Sequence, residues 1–225
     1  MFGTDPAQLL LTISIVAIPG IFAITMHEVA HGWAAKQLGD PTAYMLGRLS
    51  FNPIKHVDPI GTVAVPLAML LLSGGTMAFG WAKPVPVAFR NLRNLKRDMI
   101  LVAAAGPGAN LGMATFWTLL AMLIGATFTM TTRTTDWLLL VCEFGIRFNI
   151  LLMVFNLLPI PPLDGGRVLS GLLPPRASDV LDRIEPFGFI IVLLLMLGPV
   201  PVLWYVMQPF ISFFTDFFFS AAGFR

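Results

Sequence analysis

The sequence predicts an all-α polytopic membrane protein: a three-helix core, a membrane-associated extended or re-entrant segment, and one or two further helices at the carboxyl end. Two observations carry that expectation. Of 225 residues, 56% are hydrophobic and 12% charged, with a mean hydropathy of +0.81, well outside the range of a soluble domain. Several apolar stretches also exceed the roughly 18 residues a helix needs to cross about 30 Å of hydrocarbon. Residues 1–225 read as a single integral-membrane unit, with a core at about 7–167 and a C-terminal helical region at about 187–222.

The first helix is expected from about Ala7 to Leu38, opened by Asp5-Pro6 and stopped by Gly39-Asp40-Pro41. No basic patch precedes it, so it is expected to stay as a span rather than to be removed as a secretory signal. Its second half carries His27, Glu28, His31 and Lys36, groups costly in hydrocarbon unless they face protein or water. Thr42 to Asp58 is turn-rich and suits extended strands or a surface loop. Ile60 to Trp81 is apolar but interrupted by Pro66 and Ser73-Gly74-Gly75. Spans are expected at about Met99 to Phe128 and Trp137 to Leu158, and the region Phe187 to Ala222 is broken by Gly198-Pro199-Val200-Pro201.

Positive charges concentrate in three connecting segments: Lys36, Arg48 and Lys55; Lys83, Arg90, Arg93, Lys96 and Arg97; Arg167, Arg176 and Arg183. Lys and Arg favour the cytoplasmic side, so all three are expected there, leaving Thr129 to Asp136 on the other. Ile60 to Trp81 must then dip in and return. The lone Cys142 excludes an intrachain disulfide, and nothing supports nucleic-acid binding.

His27-Glu28-Val29-Ala30-His31 reads H-E-x-x-H. Residues four apart share a helix face, so both imidazoles can reach one ion with Glu28 beside them. With three His and three Glu in the chain, about 5 × 10⁻⁴ such matches arise by chance. Structural histidines would leave three adjacent polar groups in a membrane unexplained. Catalytic zinc takes three protein ligands and keeps one position open. His56 and Asp164 are candidates for the third. Asp164 stands out because it follows the proline-broken end of the third span, Asn156-Leu-Leu-Pro159-Ile-Pro-Pro-Leu-Asp164-Gly-Gly. Asp-Gly is also a common turn pair, so that run has a plain structural reading as well. Glu143 and Arg147 are spaced for a helix ion pair, Asn110 for a supporting place near the site, and Phe210 to Phe219 for lipid contact.

With these motifs the chain resembles the site-2 protease family of intramembrane zinc metalloproteases. It carries that family's H-E-x-x-H at 27–31, A-G-P-x-x-N at Ala105 to Asn110 and N-x-x-P-x-x-x-x-D-G at Asn156 to Gly165. Asn52 to Thr62 and Gly80 to Val87 are similar to the compact bacterial subgroup, in which neither a PDZ nor a CBS domain is expected. The resemblance implies one zinc ion per chain on His27, His31 and Asp164, Glu28 as general base, and Asn156 close to the reacting carbonyl. It implies a bacterial cytoplasmic membrane location, with the active site toward the cytoplasm and transmembrane proteins as substrates. Pro84 to Phe89 or Thr42 to Asp58 could hold an unwound substrate by edge pairing. A metal transporter, or a zinc hydrolase acting on another bond, is the alternative.

Overall fold

The computed structural model describes residues 6–72, 80, 83–128, 132–197 and 201–224, and every regular element among them is helical. In chain order these are α1 (Pro6–Gln37), α2 (Thr42–Met45), α3 (Val65–Leu72), α4 (Leu95–Thr127), α5 (Arg133–Asn156), α6 (Asp164–Leu172), α7 (Pro175–Leu197) and α8 (Val202–Ala222). Four are long and apolar enough to cross a membrane: α1, α4, α5 and α8. The chain is a multi-pass membrane protein.

Each span starts or stops where a backbone partner is supplied. α4 begins four residues before its expected start because Asn94 accepts from the Arg97 N–H (3.3 Å) while Asp98 accepts from the Asn94 N–H (2.8 Å), a reciprocal cap. Thr132 and Thr135 cap α5 in the same manner. α1, α4 and α5 form the core. Gly145 of α5 lies against the Trp117 ring of α4 so closely that a Cβ would sit 2.6 Å from Trp117 Cγ, the close approach that small residues permit between membrane helices. Around it pack Ala121, Cys142, Ile146 and Ile150, joined from α7 and α8 by Val192, Met207 and Phe218. Phe210, Phe213 and Phe217 remain exposed on α8, so only one face of the phenylalanine-rich end is available to lipid. Glu143 and Arg147 pair at 3.1 Å, with the guanidinium over the Phe219 ring.

Of the two courses open to Thr42 to Asp58, strands or a surface loop, the strands do not form. Pro41 and Pro53 instead lead into short helical turns, α2 and a 3₁₀ turn at Pro53–His56. Proline's fixed φ suits such turns and its missing N–H cannot serve a ladder. The three basic segments do gather at one end of the bundle: the Arg93 N–H donates to Leu38 O (3.1 Å), and Lys96 Nζ reaches Leu173 O. A π-helical turn follows at Pro59–Ala64, and the Lys83 N–H donates to His56 O (2.9 Å). The expected re-entrant course depends on residues 73–79 and 81–82, which lie outside the described residues.

Candidate metal centre

His27 and His31 project from one face of α1 and meet Asp164, the first residue of α6. The three facing atoms form a small triangle: His27 Nε2 to His31 Nε2 is 3.0 Å, and each Nε2 lies 3.3 Å from Asp164 Oδ2. His27 is 8% exposed and the other two are half-buried.

The opposite ring nitrogens fix what that triangle contains. His31 Nδ1 lies 2.7 Å from the Val102 carbonyl oxygen, which can only accept, so Nδ1 carries the hydrogen. For His27 the logic runs through two buried amides, both 0% exposed. Asn149 Nδ2 donates to Gly145 O (2.8 Å), so its Oδ1 accepts from Asn110 Nδ2 (3.0 Å). Asn110 Nδ2 also reaches Ala23 O (3.3 Å), which turns Asn110 Oδ1 toward His27 Nδ1 at 2.7 Å. Both neutral imidazoles are therefore Nδ1–H tautomers, and each presents a bare Nε2 lone pair. Asp164 Oδ2 is buried with no hydrogen-bond donor.

With both imidazoles neutral, three acceptors face one another without a donor, a repulsive arrangement unless a cation, a metal ion or a proton, lies between. The separations fit one. Ligands about 2.0–2.1 Å from a tetrahedral zinc lie about 3.3–3.4 Å apart, close to the observed edges. The chemistry of the set, two neutral nitrogens and one carboxylate, also suits zinc and leaves a fourth position free.

The surrounding backbone makes room for this triangle. A Cβ on Gly106 of α4 would overlap the His31 ring and sit 2.6 Å from His27 Cε1. Gly165 and Gly166 let the first turn of α6 fold back on the end of α5, where any Cβ would overlap Leu157 O or the Ile160–Pro161 backbone. Gly188 of α7 presses on Pro161 from the other side. The glycines of the Asp-Gly-Gly run act through close approach; neither has a positive φ.

Glu28 is half-buried beside the histidines, about 100° around the helix from His27 and 60° from His31. Its Oε2 accepts from the Val85 N–H at 2.7 Å. Asn156, at the end of α5, donates instead to Leu152 O (2.9 Å) and makes no hydrogen bond to the triangle. His56 is buried, with Nε2 2.8 Å from Ser50 O and no polar contact to the site, so it serves its own loop. Sequence reasoning missed Asn149, whose signal was available: a carboxamide in the middle of an apolar span needs a protein partner. It placed Gly106 in the A-G-P-x-x-N motif and Val85 in the Pro84 to Phe89 segment, but gave the first no role beside the imidazoles and the second none in holding Glu28.

The sequence profile of peptidase family M50 matches residues 15–198. The chain belongs to peptidase family M50, the site-2 proteases. Among its relatives, "Putative zinc metalloprotease YwhC" of Bacillus subtilis (strain 168) is 40% identical over 187 residues, covering 82% of this chain and 81% of the relative. The Mycolicibacterium smegmatis protein of the same description named Rip2 is 29% identical over 198 residues, 85% of this chain and 70% of its own. Rip3 of Mycobacterium tuberculosis (strain ATCC 25618 / H37Rv), at 31% over 165 residues, is aligned over only 32% of its length. No solved structure matches the chain. Within this M50 frame, the triangle falls on the motifs singled out in the sequence.

Proposed function

We propose that this M50 peptidase is a zinc-dependent intramembrane endopeptidase of the bacterial cytoplasmic membrane, with one zinc per chain held by His27, His31 and Asp164. The supporting observation is the convergence of three facing acceptors, with Asp164 Oδ2 buried and lacking a donor. Its depth fits: His27 lies ten residues before the end of α1, about 15 Å along the helix. The clustering of basic segments at the near end favours a cytoplasmic-facing site.

Bound there, zinc supplies Lewis acidity that polarises a peptide carbonyl and makes water acidic near neutral pH. The chain does the rest. Val102 and the Asn149–Asn110 pair hold both imidazoles with Nε2 inward. Glu28, steadied through Oε2, offers Oε1 to take a proton from the attacking water and return it to the departing amine. Asn156 stands at the end of the span leading to Asp164 and would support the substrate carbonyl by exchanging its Leu152 bond for one to substrate. The substrate is a transmembrane segment that unwinds locally before attack.

Edge pairing on Pro84 to Phe89 finds little support. Between Lys83 and Ala88, Pro84 and Pro86 have no N–H, and those of Lys83, Val85 and Ala88 are committed to His56, Glu28 and Asp40. Of the N–H groups from Lys83 to Ala88, only that of Val87 is left for a partner strand, which would otherwise have to rely on the strap's carbonyls.

The test is to purify the full chain in detergent, measure zinc, and compare Glu28→Gln with wild type on a transmembrane peptide. Retained zinc with cleavage reduced about 10²–10⁴-fold supports the reading; undiminished cleavage, or no bound metal in wild type, rejects it. Asn156→Ala should lower kcat with zinc unchanged, and an unaltered kcat would remove Asn156 from the mechanism.

A further inference from the structure

Asp40 closes the turn after α1, and its carboxylate is 0% exposed. Its two oxygens do different work. Oδ1 accepts from the Thr42 N–H (3.1 Å), the Thr42 hydroxyl and Asn91 Nδ2 (2.8 Å), tying the turn to itself and to the start of the next span. Oδ2 accepts from one donor, the Ala88 N–H, at 2.7 Å. A cap for the turn would need only Thr42. The Ala88 bond reaches across 48 residues to the strap Lys83–Ala88, which has no regular structure to hold it in place.

That strap lies on α1. Val85 is 7% exposed, with its Cγ1 2.8 Å from where a Cβ on Gly32 would stand, and its N–H is the donor to Glu28 Oε2. Upstream, the strap is fastened by the Lys83 N–H to His56 O and by Arg48 Nη2 to Lys83 O (2.9 Å). Downstream of Val85, Val87 packs on the Ala34, Ala35, Leu92 and Val102 cluster, and the Ala88–Asp40 bond is the nearest hydrogen-bonded anchor. A backbone donor is only as well placed as the segment carrying it, and a misplacement of about 1 Å at a reacting group can cost about a hundredfold in rate.

We propose that Asp40 is a positioning residue for the catalytic base: through Ala88 it sets the strap so that the Val85 N–H holds Glu28 in its working orientation. This rests on the protease reading for the role of Glu28, but the Asp40–Ala88–Val85–Glu28 linkage can be read without any cleavage.

Asp40→Asn is the near-isosteric test. Its amide can keep an oxygen toward Thr42 and Asn91 while turning an NH₂ toward Ala88, donor against donor. In full-length, zinc-loaded protein, amide hydrogen exchange should speed up at both Ala88 and Val85. Glu28→Ala should speed exchange at Val85 and leave Ala88 slow. On a transmembrane peptide, Asp40→Asn should lower kcat about 10- to 100-fold with KM and zinc content unchanged. Val85→Pro should do the same, and the double variant should be no slower than Val85→Pro alone, because both act through one contact. Should Asp40→Asn fold poorly, Ala88→Pro removes the same bond at a φ of −93° and should reproduce the loss.

The proposal is overturned if freeing Ala88 leaves Val85 protected, if the two losses multiply, or if zinc leaves together with activity. If wild type cleaves nothing while the exchange pattern holds, the protease reading fails and the linkage stands.

Discussion

Removing Asn149 should weaken zinc binding although it touches none of the three proposed ligands. Asn110 makes three hydrogen bonds, to His27, Asn149 and Ala23. Asn110→Leu strips the acceptor from His27 Nδ1, and losing such a partner costs about 10- to 100-fold in metal affinity, or about 1.4–2.7 kcal/mol. Asn149→Leu removes one of the two donor bonds that keep the Asn110 oxygen facing His27. A flip of Asn110 would still lose the Ala23 bond, so the expected loss is smaller, about 3- to 10-fold. The double variant should match Asn110→Leu alone, because Asn149 reaches the site only through Asn110. Zinc affinity is read by chelator competition on the purified protein in micelles, with thermal unfolding recorded in parallel. An Asn110→Leu affinity within twofold of wild type would refute the tautomer argument. Losses that multiply in the double variant would refute the relay.

Gly106→Ala places a methyl where the imidazoles lie, so it should reduce bound zinc below stoichiometry; full occupancy would show that α4 can withdraw. Asp40 gives a pH signature: burial alone would raise its carboxyl, but hydrogen bonds from Thr42, Asn91 and Ala88 outweigh this and hold it below the usual carboxylate range. A lowered folded pKa contributes stability that is fully present above the unfolded value of about 3.9 and is lost as pH falls through the folded one. The stability difference between wild type and Asp40→Asn should therefore shrink on acidification below about pH 4, followed by thermal unfolding, and a difference independent of pH would contradict the assignment.

The parts legible in the sequence were those governed by local rules. Membrane spans follow from runs of apolar residues, the end of α1 from Gly39-Asp40-Pro41, and the shared face of His27 and His31 from spacing on one helix. Asp164 was legible because prolines break the helix before it and few other donors were available. For Thr42 to Asp58 the sequence left strands and a surface loop both open, because turn-rich composition says that a segment is irregular, not which partners satisfy its backbone.

The sequence by itself determined the membrane class, the spans and the candidate metal motif on α1, because each depends on hydropathy or on neighbours within a helical turn. Only the tertiary structure decided that Asn149 reaches His27 through Asn110, that Gly106 clears space for two imidazoles, and that Val85 and Asp40 bear on Glu28. Those contacts join residues 39 to 87 positions apart. Such pairings are set by how the helices pack, and no local periodicity encodes them.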